Sequence, residues 1–123
     1  MMPSFRSMPE FIKTKSLLLQ RIRHYFYKND YHEVDTPAIV QHPGLEFHIE
    51  AFPIHSVQAK SPWGEDPKGP AFLHTSPEFS MKKLLSPELP KIFQIAKVFR
   101  DEPLSPLHRR DFLMLEFYKL HAD

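Results

Sequence analysis

The sequence predicts an α+β domain, an antiparallel sheet flanked by helices, and three observations predict it. Apolar residues recur at helical spacing from Glu10 to about Lys28. Two long runs with period-two alternation, Lys91–Arg100 and Asp111–Leu120, read as paired strands. The chain between them breaks into short β-like pieces at prolines and glycines, with one short helix. At 123 residues, 41% hydrophobic and 13% aromatic, the chain fits one domain and buries only about two-thirds of its unfolded surface.

In the first helix Phe11, Leu18, Leu19, Ile22, Tyr25 and Phe26 form the apolar side, and Lys13, Lys15, Arg21 and Arg23 supply the wet one. Lys28-Asn29-Asp30 ends it. "YHEVDTPAIV" then turns β-like, with Val34, Ile39 and Val40 around Pro37. A proline has no N–H to give a ladder, so Pro37 belongs at a strand edge, a strand start or a bend. "EFHIEAFPIHSV", Glu46 to Val57, alternates at Phe47, Ile49 and Ala51 and reads as a strand interrupted near Pro53. "SPWGEDPKGP", Ser61 to Pro70, is a loop by composition.

A short strand, "AFLHT", leads into "SPEFSMKKLLS". Ser76 suits the cap, Pro77 the first helical position and Glu78 the positive helix start, which predicts a helix over Pro77–Leu85. In the last strand Phe112, Met114, Glu116 and Tyr118 share one face, and Leu113, Leu115, Phe117 and Lys119 the other. Both faces are largely apolar, which predicts cover on both sides. A carboxylate at Glu116 is then costly unless something pairs with it. In the preceding strand Ile92, Gln94, Ala96, Val98 and Arg100 share a face. The connection Glu102–Arg110 is too long for a tight turn and carries His108, Arg109 and Arg110, so a long antiparallel hairpin with a basic loop is expected.

Charge and composition narrow the function. A net charge of +1, from 16 Lys and Arg against 15 Asp and Glu, lacks the basic excess of a freestanding nucleic-acid binder. Without cysteine there is neither disulfide nor thiolate site, which suits a reducing compartment. No apolar run approaches the ~20 residues that span a bilayer. The N-terminus "MMPSFRSMPEFIKTKS" lacks the apolar core of a secretory signal. A cytoplasmic protein without membrane association is the expectation. The eight histidines show no ligand spacing, and no metal site is expected from them.

Two readings of the charged residues stay open on composition alone. Arg100 with Arg109 and Arg110 suits a polyphosphate clamp, because guanidinium forks bind phosphate oxygens in pairs. The same residues suit a solvated loop whose Arg and Asp or Glu side chains pair with one another. Glu116 and Tyr118 suit an ammonium group, or else a carboxylate paired at the core rim beside an ordinary packed tyrosine. Phe112 suits a nucleobase stack or the core.

The combination resembles the class II aminoacyl-tRNA synthetases, in their lysine branch. "VFRDE…LHRRDFLMLEFY" looks like motif 2, a Phe-Arg-x-Glu strand end, a loop and a His-x-x-(Glu/Asp)-Phe strand closing on Glu-x-Tyr. "HTSPEFSMKKLL" is similar to the branch's amino-acid-pocket segment, and "NDYHEVDTPAIV" looks like motif 1, with Pro37 as its proline. "TSPEFSMKKLL" and "FLMLEFY" read like the elongation factor P–lysine ligases, paralogues of lysyl-tRNA synthetase. The first helix starts about ten residues after Met1, so no anticodon-binding barrel is expected before it.

The resemblance implies ATP-dependent activation of lysine or β-lysine as an adenylate, and transfer to a lysine of elongation factor P. It implies that Arg100 holds the α-phosphate and the substrate carboxylate, while Glu102 meets the adenine edge and Phe112 stacks on the ring. Asp101, His108 and Arg109 would complete the ATP-binding set. Ser76, Pro77 and Glu78 would line the amino-acid site, and Glu116 with Tyr118 would receive an amino group. It also implies Mg²⁺ and a homodimer that packs Leu18, Ile22, Phe26 and the segment around Pro37 across a two-fold axis.

The family usually reads His-Asn-Pro-Glu-Phe where this chain has His108-Arg109-Arg110-Asp111-Phe112, which alters the loop and one ATP contact. Motif 3, whose Arg grips the γ-phosphate, would lie after Asp123, together with the Mg²⁺-positioning acids. Residues 1–123 are therefore expected to be the N-terminal portion of a catalytic domain, weak or inactive alone. A fragment of a lysyl-tRNA synthetase acting on tRNA, and a non-catalytic dimerising module, are the rival readings.

Overall fold

A computed structural model of the protein describes residues 7–44, 49–55, 69–103, 105 and 109–121. Its elements are α1 (Met8–Lys28), β1 (His32–Glu33), β2 (Ile39–Val40), β3 (Pro53–Ile54), β4 (Ala71–Leu73), α2 (Glu78–Lys82), β5 (Lys91–Phe99) and β6 (Asp111–Lys119).

Helix α1 begins at Met8, two residues before the expected start, because Ser7 caps it. Ser7 stays extended, and its Oγ accepts from the Glu10 N–H at 3.2 Å. At the other end the Asn29 side chain donates to the Tyr25 carbonyl at 2.8 Å. Asp30 then takes φ 67°, a left-handed turn that a short polar side chain tolerates.

The apolar side of α1 packs far less than its pattern predicts. Phe26 is 4% exposed, whereas Leu18 and Tyr25 remain 56% and 60% exposed. Among the described residues the helix meets the sheet through its last turns, where Phe26 stacks on Phe93 with centroids 4.6 Å apart and touches Phe117 at 5.1 Å. Phe26, expected at a dimer face, is thus buried in its own chain. Beyond that crossing, Leu113, Leu115 and Phe117 of β6 stay 38%, 38% and 54% exposed. Cover on both sides, as read from the alternation, is not met along this face.

Strands β5 and β6 form the long antiparallel hairpin that the alternation predicts, in register from Lys91↔Lys119 to Phe99↔Asp111. That register puts Ile92, Gln94, Ala96, Val98 and Arg100 on the same face as Phe112, Met114, Glu116 and Tyr118. β1 adds to β5 in parallel through two residue pairs, so this sheet is antiparallel apart from that short join. A second, antiparallel sheet has the order β2-β4-β3. Pro37 lies between β1 and β2, outside either ladder. Of the strand expected over Glu46–Val57 only Pro53–Ile54 forms among the described residues, and Phe47 and Val57 lie outside them. Most of the Ser61–Pro70 loop also lies outside the described residues.

His74 stitches the two sheets together. Its N–H donates to the Ala38 carbonyl at 2.8 Å, and its carbonyl accepts from the Phe99 N–H at 3.1 Å. Its Nε2 reaches the Lys97 carbonyl at 2.7 Å. The core runs through Phe26, Ile92, Phe93 and Val98 in the hairpin region and Pro77 and Met81 at α2. Helix α2 spans Glu78–Lys82, shorter than Pro77–Leu85, and the Ser76 Oγ accepts from the Glu78 N–H at 3.4 Å at its start. Among the described residues no helix is long and apolar enough to cross a membrane.

Candidate functional site

The hairpin presents one sheet face with a cationic end and an anionic end. Arg100 follows the last residue of β5, and its N–H donates to the Arg110 carbonyl at 2.8 Å, which draws the two strand ends together. Because Arg100 alternates onto the Phe112 face, its guanidinium lies 5.2 Å from the Phe112 ring centroid. Its Nε is buried and has no acceptor among the described residues. A guanidinium is a fork of N–H donors, a shape suited to anionic oxygens.

The other end is built by β6 and α2. Tyr118 donates its hydroxyl to Glu116 Oε1 at 2.7 Å, and Glu116 Oε2 is buried without a partner among the described residues. Burial pushes the Glu116 carboxyl above its ordinary value; the Tyr118 hydrogen bond opposes this, Glu78 adds to it and Lys82 opposes it. Burial and the Glu116 carboxylate raise the Tyr118 phenol far above its ordinary range, so it stays a donor. Glu78 faces this pair from α2, with its Oε1 2.7 Å from Lys82 Nζ. Lys82 Nζ in turn lies 5.6 Å from the Tyr118 ring centroid.

Phe112 and Glu116 are four strand residues apart, about 13 Å at the usual rise per residue. An amino acid joined to a nucleotide phosphate spans such a gap; a free amino acid falls short. The arrangement therefore suits a ligand with an ammonium group at one end and a phosphate or carboxylate toward the other.

The remaining expected residues are distributed unevenly. Ser76 and Pro77 act locally at the start of α2, with Pro77 fully buried and its carbonyl accepting from Met81 at 2.9 Å. Asp101 is exposed, and its N–H donates to the Glu50 carbonyl at 3.0 Å. Glu102 is half-buried, and its carbonyl accepts from Arg110 Nε at 3.2 Å. Arg109 is drawn to Asp111 at 3.6 Å, where Lys97 also pairs at 3.6 Å. Asp111 shares the Phe99 face, so Arg109 is directed away from Arg100. His108 lies outside the described residues. Lys82 was missed by sequence reasoning, although its spacing four after Glu78 marks a helix-face pair.

Comparison with known proteins places the chain in a family. The family model for tRNA synthetases class II (D, K and N) matches residues 3–123. The chain is 40% identical over 105 residues to the elongation factor P–(R)-β-lysine ligase homolog of Aquifex aeolicus, covering 85% of this chain and 34% of that protein. It is 36% identical over 107 residues to the elongation factor P–(R)-β-lysine ligase of Haemophilus influenzae, covering 87% of this chain and 32% of that protein. The ligase of Vibrio atlanticus is 36% identical over 112 residues, covering 91% and 33%. The chain thus spans about a third of the length of the curated relatives it matches.

Proposed function

We propose, from the premise that this chain belongs to the class II tRNA synthetases (D, K and N), that it serves as an ATP-dependent ligase of lysine or β-lysine. In this reading residues 1–123 are the N-terminal portion of the catalytic domain. The acyl group is activated as an adenylate and passed to a lysine of elongation factor P, the acceptor in the relatives' names. A cytoplasmic homodimer completes the proposal. The observation that carries it is the pair of unmet buried atoms, Glu116 Oε2 and Arg100 Nε, on one sheet face.

The chemistry asks positioning and charge neutralisation of the chain rather than a nucleophile. Glu116 takes the substrate ammonium on Oε2, while the Tyr118 hydroxyl holds Oε1 and fixes the carboxylate's direction. Arg100 meets the α-phosphate and the substrate carboxylate, and offsets the charge that builds as the carboxylate oxygen attacks phosphorus and pyrophosphate leaves. The Phe112 ring yields its contact with Arg100 and stacks on adenine, with Glu102 at the adenine edge. Mg²⁺, where bound with ATP, would supply charge screening of the phosphates. Among the described residues no three His, Asp or Glu side chains gather to hold a metal, and no step here is assigned to one.

Titration calorimetry with (R)-β-lysine, lysine and ATP, followed by acyl transfer from radiolabelled amino acid, tests the reading. Glu116→Gln is expected to weaken amine binding by about 1.5–3 kcal/mol, the scale of a charged hydrogen bond, and Arg100→Ala to weaken ATP binding similarly. Acylation of tRNA in place of elongation factor P would move the reading to a lysyl-tRNA synthetase. A protein that binds neither amine nor ATP yet self-associates would move it to a non-catalytic module.

A further inference from the structure

We propose that Lys82 is a positioning residue for the amine end: its ammonium restrains the Glu78 carboxylate on α2 and screens it, leaving Glu116 the single anionic acceptor. The inference rests on the reading of Glu116 and Tyr118 as the amine-receiving pair. Its geometry is a chain of contacts that crosses from helix to sheet. Glu78 Oε1 is 2.7 Å from Lys82 Nζ, Lys82 Nζ is 5.6 Å from the Tyr118 ring centroid, and Tyr118 Oη is 2.7 Å from Glu116 Oε1.

Among the described residues the charged and titratable groups facing Glu116 are Glu78 and Lys82 from α2 and Tyr118 from its own strand. Its cross-strand neighbour on β5 is the neutral Gln94. Two carboxylates and one ammonium leave one negative charge, which matches one incoming ammonium. Without Lys82 the two carboxylates face each other in a partly dry site, and like charges there disfavour double ionisation. Glu116, the more desolvated, then holds its proton to higher pH.

An ordinary helix pair four residues apart would act on α2 alone. Lys82 departs from that case because it also covers the Tyr118 ring, the group that orients Glu116. Its side chain is 51% exposed, so replacing it leaves the core intact.

The test is a carbon-13 NMR titration of the Glu116 carboxyl in the ligand-free protein, as wild type, Lys82→Met, Lys82→Arg and the double variant Lys82→Met with Glu78→Gln. Lys82→Met is expected to move the Glu116 midpoint further up. Lys82→Arg should restore it by returning the charge, and the double variant by removing the repulsion. An unchanged midpoint in Lys82→Met overturns the inference, as does failure of the double variant to restore it. Calorimetry with lysine runs beside the titration. A wild type that binds no lysine would remove the amine-site reading itself, while the midpoints would still decide whether Lys82 governs Glu116.

Discussion

Tyr118 donates its hydroxyl to one oxygen of Glu116 at 2.7 Å and leaves the other buried with no partner among the described residues. The tyrosine therefore orients the carboxylate without neutralising it. Burial raises the Glu116 carboxyl above its ordinary value of 4.5, so the folded state holds the proton more tightly than the unfolded chain. The sign follows: the fold is destabilised as pH rises from 4.5 through the shifted midpoint, and the loss is complete above it. Glu116→Gln removes a titrating charge and keeps an acceptor for Tyr118. Thermal melting is expected to place Glu116→Gln level with or above wild type near neutral pH. The difference should close as pH falls toward 4.5. A large fall in melting temperature at neutral pH would mean that Glu116 is paired within the protein.

His74 makes a second, opposite pH dependence. It is 2% exposed, and burial lowers its ring below the ordinary 6.5, against the Lys97 carbonyl that favours the protonated form. The folded state holds the neutral ring with Nε2–H on the carbonyl and Nδ1 unpartnered. Stability is then present above 6.5 and declines as pH falls from 6.5 toward the lowered value, because the unfolded chain takes the proton first. His74→Gln can keep a donor for the Lys97 carbonyl and cannot titrate. Urea unfolding across this range should show a flatter profile for His74→Gln; parallel profiles would show that His74 does not govern it.

The join between α1 and β1 rests on one carboxylate. Glu33 accepts from Arg23 Nε through both oxygens, at 3.3 and 3.1 Å, and from the Tyr27 hydroxyl at 2.6 Å. Arg23 is partly open to solvent, so the network is worth little more than a good surface pair, and Glu33→Ala is expected to lower stability by about 1 kcal/mol. A double-mutant cycle with Arg23→Ala isolates the pair. A coupling energy indistinguishable from zero would reduce the contact to geometry without consequence.

The exposed apolar side of α1 and the outer face of β6 meet in a groove of about 370 Å³ lined by Ile22, Tyr25, Phe26, Leu115 and Phe117. Apolar surface gathered in this way favours association over solvation. Sedimentation of the protein is expected to show concentration-dependent self-association at tens of micromolar, weakened by Leu18→Glu on the exposed stripe of α1. A clean monomer over that range would leave the proposed homodimer without support.

Much of the candidate face was legible because strand geometry is local. Alternation alone grouped Phe112 with Glu116 and Tyr118, and Arg100 with Gln94, and the register pairs those two sets on one face. The start of α2 was readable to within one residue: Pro77, expected as the first helical position, is the N-cap, and Ser76, expected as the cap, lies just outside it with its Oγ accepting from the Glu78 N–H. Its length was not, since five residues of helix are held by the burial of Met81 rather than by propensity.

By itself, then, the sequence determined the hairpin, the sharing of faces and the order of elements, since each follows from the period of side chains along a local backbone. Tertiary structure alone decided where those faces meet something else. It brought Lys82 over Tyr118, turned Arg109 toward Asp111, joined β1 to β5 in parallel and left most of α1 uncovered. Such contacts depend on how distant segments cross, and a residue pattern records only which side is apolar. The same apolar stripe in α1 is core at Phe26 and surface at Leu18 because the helix crosses the sheet at one end only.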